Sequence, residues 1–132
     1  MGRTQSEIRD LLENRPFEKH LGIKLLEAVG GKSVIRLEAR KDLKQRLGFL
    51  HGGVLASLAD ISMGSALLSV VGIVPSVTVE MSIDFISPVK VGGVTAYGRV
   101  LHKGRRISYT ESEIKDDAGE MALKATGVYY LL

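Results

Sequence analysis

The stretch from Leu47 to Gly72, LGFLHGGVLASLADISMGSALLSVVG, constrains the fold more than any other part of the chain. From Gly52 to Val74 it carries a single charge, Asp60, and it is long enough to cross a bilayer. Three features argue against a membrane span. Its middle is rich in Ala, Ser and Gly, Asp60 sits where a charge is most costly, and no second apolar span exists to pair with it. The segment therefore reads as a helix over about 52–71, buried on nearly all sides, whose small residues let other backbones approach closely.

A chain of 132 residues, 45% hydrophobic and 25% charged, suits one globular domain over 1–132 and leaves no segment polar enough to stay disordered. There is no cysteine, which excludes disulfides, thiolate nucleophiles and sulfur-ligated zinc. That composition suits a reducing cytosol. The N-terminal MGRTQSEIRDLLENRPFEKHLG alternates charged and apolar residues without an apolar signal core, so a cytoplasmic location is expected. With 18 basic and 15 acidic residues the net charge is +3, enough to favour a small anionic ligand and too little for a nucleic-acid surface. Aromatics at 5% and no Trp also argue against base stacking.

Ile8, Leu11 and Leu12 fall at helical spacing, which predicts a helix over about 4–14, with Thr4 or Ser6 as N-cap and Pro16 ending the pattern. IKLLEAV and KSVIRLEA read as two strands joined at Gly30 and Gly31, and RKDLKQRLG reads as a polar loop. After Pro75, Val77, Val79, Met81, Ile83 and Phe85 alternate with Thr78, Glu80, Ser82 and Asp84, the period of a strand. VTAYGRVLHKG, ISYTESEIKDD and EMALKATGVYYLL follow as three more, with turns at KGRR and DDAGE. The expected architecture is α+β. Four consecutive strands form an antiparallel meander in a curved sheet wrapped around one long central helix. Such a sheet leaves part of the helix and one edge strand uncovered, which predicts a dimer.

At the start of the long helix, the N–H groups of Gly52 and Gly53 have no partners within the helix and point out of its end. They either make a tight loop-to-helix turn or form a site that holds an anion or polarises a carbonyl. Asp60 is either a buried carboxylate satisfied by Ser57 or a backbone amide, or a functional group. It lies nine residues after His51, which is roughly 13 Å along one helix. The two cannot share a reaction centre within one chain. Two such helices running antiparallel across a dimer axis would bring Gly52 of one chain to Asp60 of the other.

HGGVLASLADISMGSA closely resembles the HGGxxxxLxDxxxGxA signature of the PaaI-like, 4-hydroxybenzoyl-CoA thioesterase-related branch of the hotdog-fold superfamily. The resemblance runs from about Gln45 to the C-terminus and includes PSVTVEMSIDFISPVKVG and KGRRISYTESEI. It implies hydrolysis of acyl-CoA thioesters, often aryl or medium-chain, at active sites shared across a homodimer, with homotetramers built as dimers of dimers. No metal and no redox cofactor is implied.

By the same resemblance Asp60 is the catalytic carboxylate, acting as general base or as nucleophile. The Gly52 N–H polarises the thioester carbonyl, with Gly53 beside it on the substrate side, and His51 orients that loop or the thioester. Gln45 touches the carbonyl or the reactive water. Thr78 stands where some relatives have a Ser that holds the water, and alternation puts it on the face of Glu80 and Ser82. Ile86, Pro88 and Lys90, in ISPVK, line the pantetheine channel. The turn Lys103, Gly104, Arg105 and Arg106, followed by Ser108, contacts the CoA phosphates, where Arg supplies forked donors. Two other functions use the same fold. An acyl-CoA-binding regulator would need an output module, and the about 40 residues before the motif loop are already claimed by one helix and two strands. A dehydratase or hydratase needs a different acid–base pair, whereas His51 sits in the glycine-flanked thioesterase setting.

Overall fold

The computed structural model describes the backbone of residues 2–132 and the side chains from residue 5 onward. Helix α1 spans Gly2–Asn14 and buries Ile8 and Leu12, as the spacing requires. It begins before both expected caps, and the Thr4 side chain lies outside the described residues. Pro16 does more than end α1. It opens a second helix, α2 (Pro16–Leu21), at a position where the missing N–H of proline costs nothing. Gly22 stops α2 in the left-handed region at φ 74°, donating to the carbonyls of Glu18 and Lys19.

Strands β1 (Lys24–Val29) and β2 (Lys32–Glu38) form the expected hairpin. A short 3-10 turn over Lys41–Leu43 lies in the polar segment, and helix α3 follows over Gly52–Val71. The remaining strands are β3 (Ser76–Phe85), β4 (Gly93–Lys103), β5 (Ile107–Asp116) and β6 (Met121–Leu131). All pairings are antiparallel, and the sheet order is β1-β2-β4-β5-β6-β3. The expected four-strand meander is therefore only β4-β5-β6. Strand β3 leaves α3 at the far edge and pairs with β6, and β2 takes the place beside β4.

Helix α3 is long and apolar enough to cross a membrane by length and composition, but the sheet takes up its apolar side. Leu58, Ala59, Met63, Ala66 and Leu67 are fully buried. Hydroxyls knit helix to sheet. Ser33 donates to the Ser62 carbonyl at 2.6 Å, and the Ser62 and Ser112 hydroxyls meet at 2.7 Å. This closeness requires glycine at position 98, where a Cβ would fall 2.2 Å from the Ser62 carbonyl oxygen. Gly98→Ala is expected to destabilise the fold by about 3 kcal/mol through overpacking, read as a lower midpoint in urea. The burial of α3 is less complete than expected: Ser57, Asp60, Ile61 and Gly64 form a half-buried strip on its open side.

The two sheet edges differ. Along β1 the Leu25 N–H bonds Glu13, the Leu25 carbonyl accepts from Arg9, and the Ala28 N–H bonds Gln5, so α1 side chains occupy backbone groups that a partner strand would need. Strand β3 is covered by no such contacts among the described residues, and it exposes Val77, Val79 and Phe85.

Candidate active site

The entry to α3 is fixed by its loop. The Leu50 N–H bonds the Val89 carbonyl, and the His51 N–H bonds the Leu43 carbonyl, which sets His51 in an extended conformation as N-cap. Its ring nitrogen Nδ1 accepts from the Gly53 N–H at 2.8 Å. The two glycine N–H groups, both expected to point out of the helix end, are thus not equivalent. That of Gly53 is taken by the histidine, while that of Gly52 has no acceptor among the described residues. Gln45 stands close by. Its side-chain oxygen accepts from the N–H groups of Leu47 (2.5 Å) and Phe49 (3.3 Å), which leaves its NH2 group without a partner among the described residues. Gln45, Gly52, Phe85, Ile86 and Pro88 line an open cleft of about 340 Å³. The Lys90 ammonium flanks it, 5.4 Å from the centre of the Phe49 ring.

Asp60 belongs to a different cleft, of about 260 Å³, together with Thr78, Tyr129, Arg15, Glu18 and Leu68. Among the described residues none lines both clefts. A bulge delivers Thr78 to Asp60. The β3–β6 register slips between Thr78 and Glu80, so Thr78 pairs with the buried Tyr129 whereas Glu80 pairs with Val128. Paired residues share a face. Thr78 therefore faces α3, and Glu80 and Ser82 face the opposite side, so uninterrupted alternation misplaces Thr78 by half a period. The Thr78 hydroxyl donates to Asp60 Oδ1 at 2.8 Å. Ser57, considered above as a partner for Asp60, instead donates to the Gly53 carbonyl.

The sequence reading missed Tyr129. Its hydroxyl reaches Asp60 Oδ1 at 2.5 Å and the Asp60 carbonyl at 2.9 Å. Burial, and then the adjacent Asp60 carboxylate, push the phenol well above its ordinary range, so it stays protonated and acts as a donor. A signal was present in the sequence: a tyrosine on the inward face of a strand needs a partner for its hydroxyl, and Asp60 is the one carboxylate of α3.

The β4–β5 turn carries Lys103, Arg105 and Arg106 exposed at its tip. Gly104 is required there, because a Cβ would lie 2.5 Å from the Ile107 carbonyl oxygen. The Arg106 guanidinium donates to the Leu131 carbonyl at 3.3 Å. Ser108 does not join this surface. Strand alternation turns it inward beside Tyr129, fully buried and with no hydrogen-bond partner for its hydroxyl among the described residues, so it is removed from the phosphate-contacting set.

Comparison with known proteins gives a consistent result. The family model described as "Thioesterase superfamily" matches residues 47–122. SSO2140 of Saccharolobus solfataricus is 36% identical over 86% of this chain and 81% of its own length. Acyl-coenzyme A thioesterase 13 of Homo sapiens is 32% identical over 84% of this chain and 81% of its own. Among solved structures, the E. coli PaaI protein from the phenylacetic acid degradation operon superposes with a TM-score of 0.87 at 26% identity, covering 93% of this chain and 88% of that one.

Proposed function

The chain belongs to the thioesterase superfamily and is a thioester hydrolase with the hotdog fold, and from that premise we propose that it cleaves aryl or medium-chain acyl-CoA at sites completed across a homodimer. One observation carries this reading. The Gly52 N–H, without an acceptor among the described residues, and the Asp60 carboxylate, both on α3, occupy separate clefts of one chain, while among those residues strand β3 stands open as a pairing edge. Pairing two β3 edges antiparallel would bring the second helix alongside the first and set Gly52 of one protomer opposite Asp60 of its partner. A further pairing of dimers into tetramers is part of the same proposal.

In such a site the Gly52 N–H and the α3 N-terminus hold the thioester carbonyl oxygen, and they hold it more strongly as it gains negative charge. Asp60 either takes a proton from water, whose oxygen attacks the carbonyl carbon, or itself attacks to form a mixed anhydride that water then hydrolyses. On both routes the C–S bond breaks, the electron pair leaves with sulfur, and the products are the free acid and the CoA thiol. Water is the only co-reactant. The Gln45 NH2 group adds a second donor near the carbonyl, and His51 holds Gly53 so that the neighbouring Gly52 N–H stays directed outward. Ile86, Pro88 and Lys90 flank the route of the pantetheine arm, and Lys103, Arg105 and Arg106 receive the nucleotide phosphates.

A thiol-release assay over aryl, short, medium and long acyl-CoA esters tests the reading. Turnover is expected to concentrate on the aryl and medium-chain esters. Tight binding of acyl-CoA with no thiol release would instead make the protein a sensor. In Arg105→Ala and Arg106→Ala, KM for CoA esters is expected to rise about tenfold, with little change toward thioesters lacking the nucleotide. Equal losses on both substrates would remove these arginines from the phosphate site.

A further inference from the structure

The two oxygens of the Asp60 carboxylate have different surroundings. Oδ1 accepts from the Thr78 hydroxyl at 2.8 Å and from the Tyr129 hydroxyl at 2.5 Å, while Oδ2 has no partner among the described residues. We propose that Tyr129 is a positioning residue, which with Thr78 immobilises Asp60 through Oδ1 and leaves Oδ2 as the oxygen that reacts. This rests on the thioesterase reading above and adds to it which atom does the chemistry and what aims it.

Tyr129 is well built for the task. It projects from β6 with 3% of its surface exposed. Its ring edges lie against Gly64 of α3 and Gly127 of its own strand, where added Cβ atoms would come 3.8 and 3.2 Å from the ring carbons. The hydroxyl also reaches the Asp60 main-chain carbonyl, so one phenol ties both the side chain and the helix backbone to the sheet. Two donors converging on one oxygen fix the carboxylate plane and leave the other oxygen pointing into the cleft. Tyr129 itself neither gains nor loses a proton. In the general-base route the proton moves from water to Oδ2 and then to the departing sulfur.

The other titratable groups facing this cleft are Arg15, at the α1–α2 junction, and Glu18, on α2; these pair with each other at 3.5 Å. Substitution at position 129 leaves both in place.

The test is Tyr129→Phe, which keeps the ring and its packing and removes the hydroxyl, with kcat and KM measured separately on one acyl-CoA ester. The kcat at the optimum is expected to fall roughly ten- to a hundredfold with KM little changed. Site-specific 3-fluorotyrosine at the same position, which keeps a hydroxyl donor in nearly the same shape, is expected to retain most of the wild-type kcat and also covers the case of a poorly folded Phe variant. A wild-type kcat in Tyr129→Phe, or a raised KM with kcat unchanged, would overturn the role of Tyr129. The failure of the underlying reading looks different: the wild-type protein would then release no thiol from any CoA ester, or Asp60→Asn would retain full activity.

Discussion

Asp60→Asn is expected to leave the fold and acyl-CoA binding intact and to lower kcat by about a hundred- to ten-thousandfold. The amide retains one oxygen acceptor, and the donors on Thr78 and Tyr129 select the orientation in which that oxygen occupies the place of Oδ1. The NH2 group then replaces Oδ2. It can neither take a proton from water nor attack a carbonyl, so the network survives while the reacting atom is lost. Steady-state kinetics together with a thermal melt separate the two effects: melting close to wild type with kcat collapsed is the expected pair. A variant that melts normally and still hydrolyses at the wild-type rate would remove Asp60 from the chemistry.

Gly52→Pro is expected to cost about a hundred- to a thousandfold in kcat, the usual effect of removing one oxyanion donor. Proline is suited to this position. Gly52 is the first residue of α3, where a missing N–H costs no helical hydrogen bond. The preceding His51 has φ −62° and ψ 137°, the extended conformation that a following proline demands. A Cβ at Gly52 meets nothing closer than the Phe85 ring at 3.4 Å. The His51 cap on Gly53 is untouched, so the substitution removes the Gly52 N–H, which has no acceptor among the described residues, and little else. Gly52→Ala, which keeps the N–H, is the matching control and is expected to retain most activity.

The long apolar helix, the HGG turn at its start and its lone carboxylate were readable from the chain, and the structure sets Gly52 and Asp60 in separate clefts, as their spacing along one helix requires. What escaped the reading depends on pairing between distant segments. The alternation from Val77 to Phe85 looks unbroken, and nothing local marks the bulge after Thr78, which exists only relative to β6. Tyr129 reaches Asp60 only because that same register sets it opposite Thr78. Chain order suggested that β3 sits beside β4, but α3 carries the chain to the far edge first. Ser108 was grouped with the basic turn by adjacency, whereas strand alternation turns it into the core. The nonequivalence of Gly52 and Gly53 depends on where one histidine nitrogen points.

The shared site is the central claim, and subunit mixing tests it most directly. Asp60→Asn and Gly52→Pro homodimers are each expected to be nearly inactive. In a mixed dimer, the Asp60 retained by the Gly52→Pro chain faces the Gly52 retained by the Asp60→Asn chain, which restores one intact site of two. Random reassociation of equal amounts makes half the dimers mixed, so the mixture is expected to recover about a quarter of wild-type activity. No recovery above the separate variants, with exchange of subunits verified, would mean that Gly52 and Asp60 do not work across the interface.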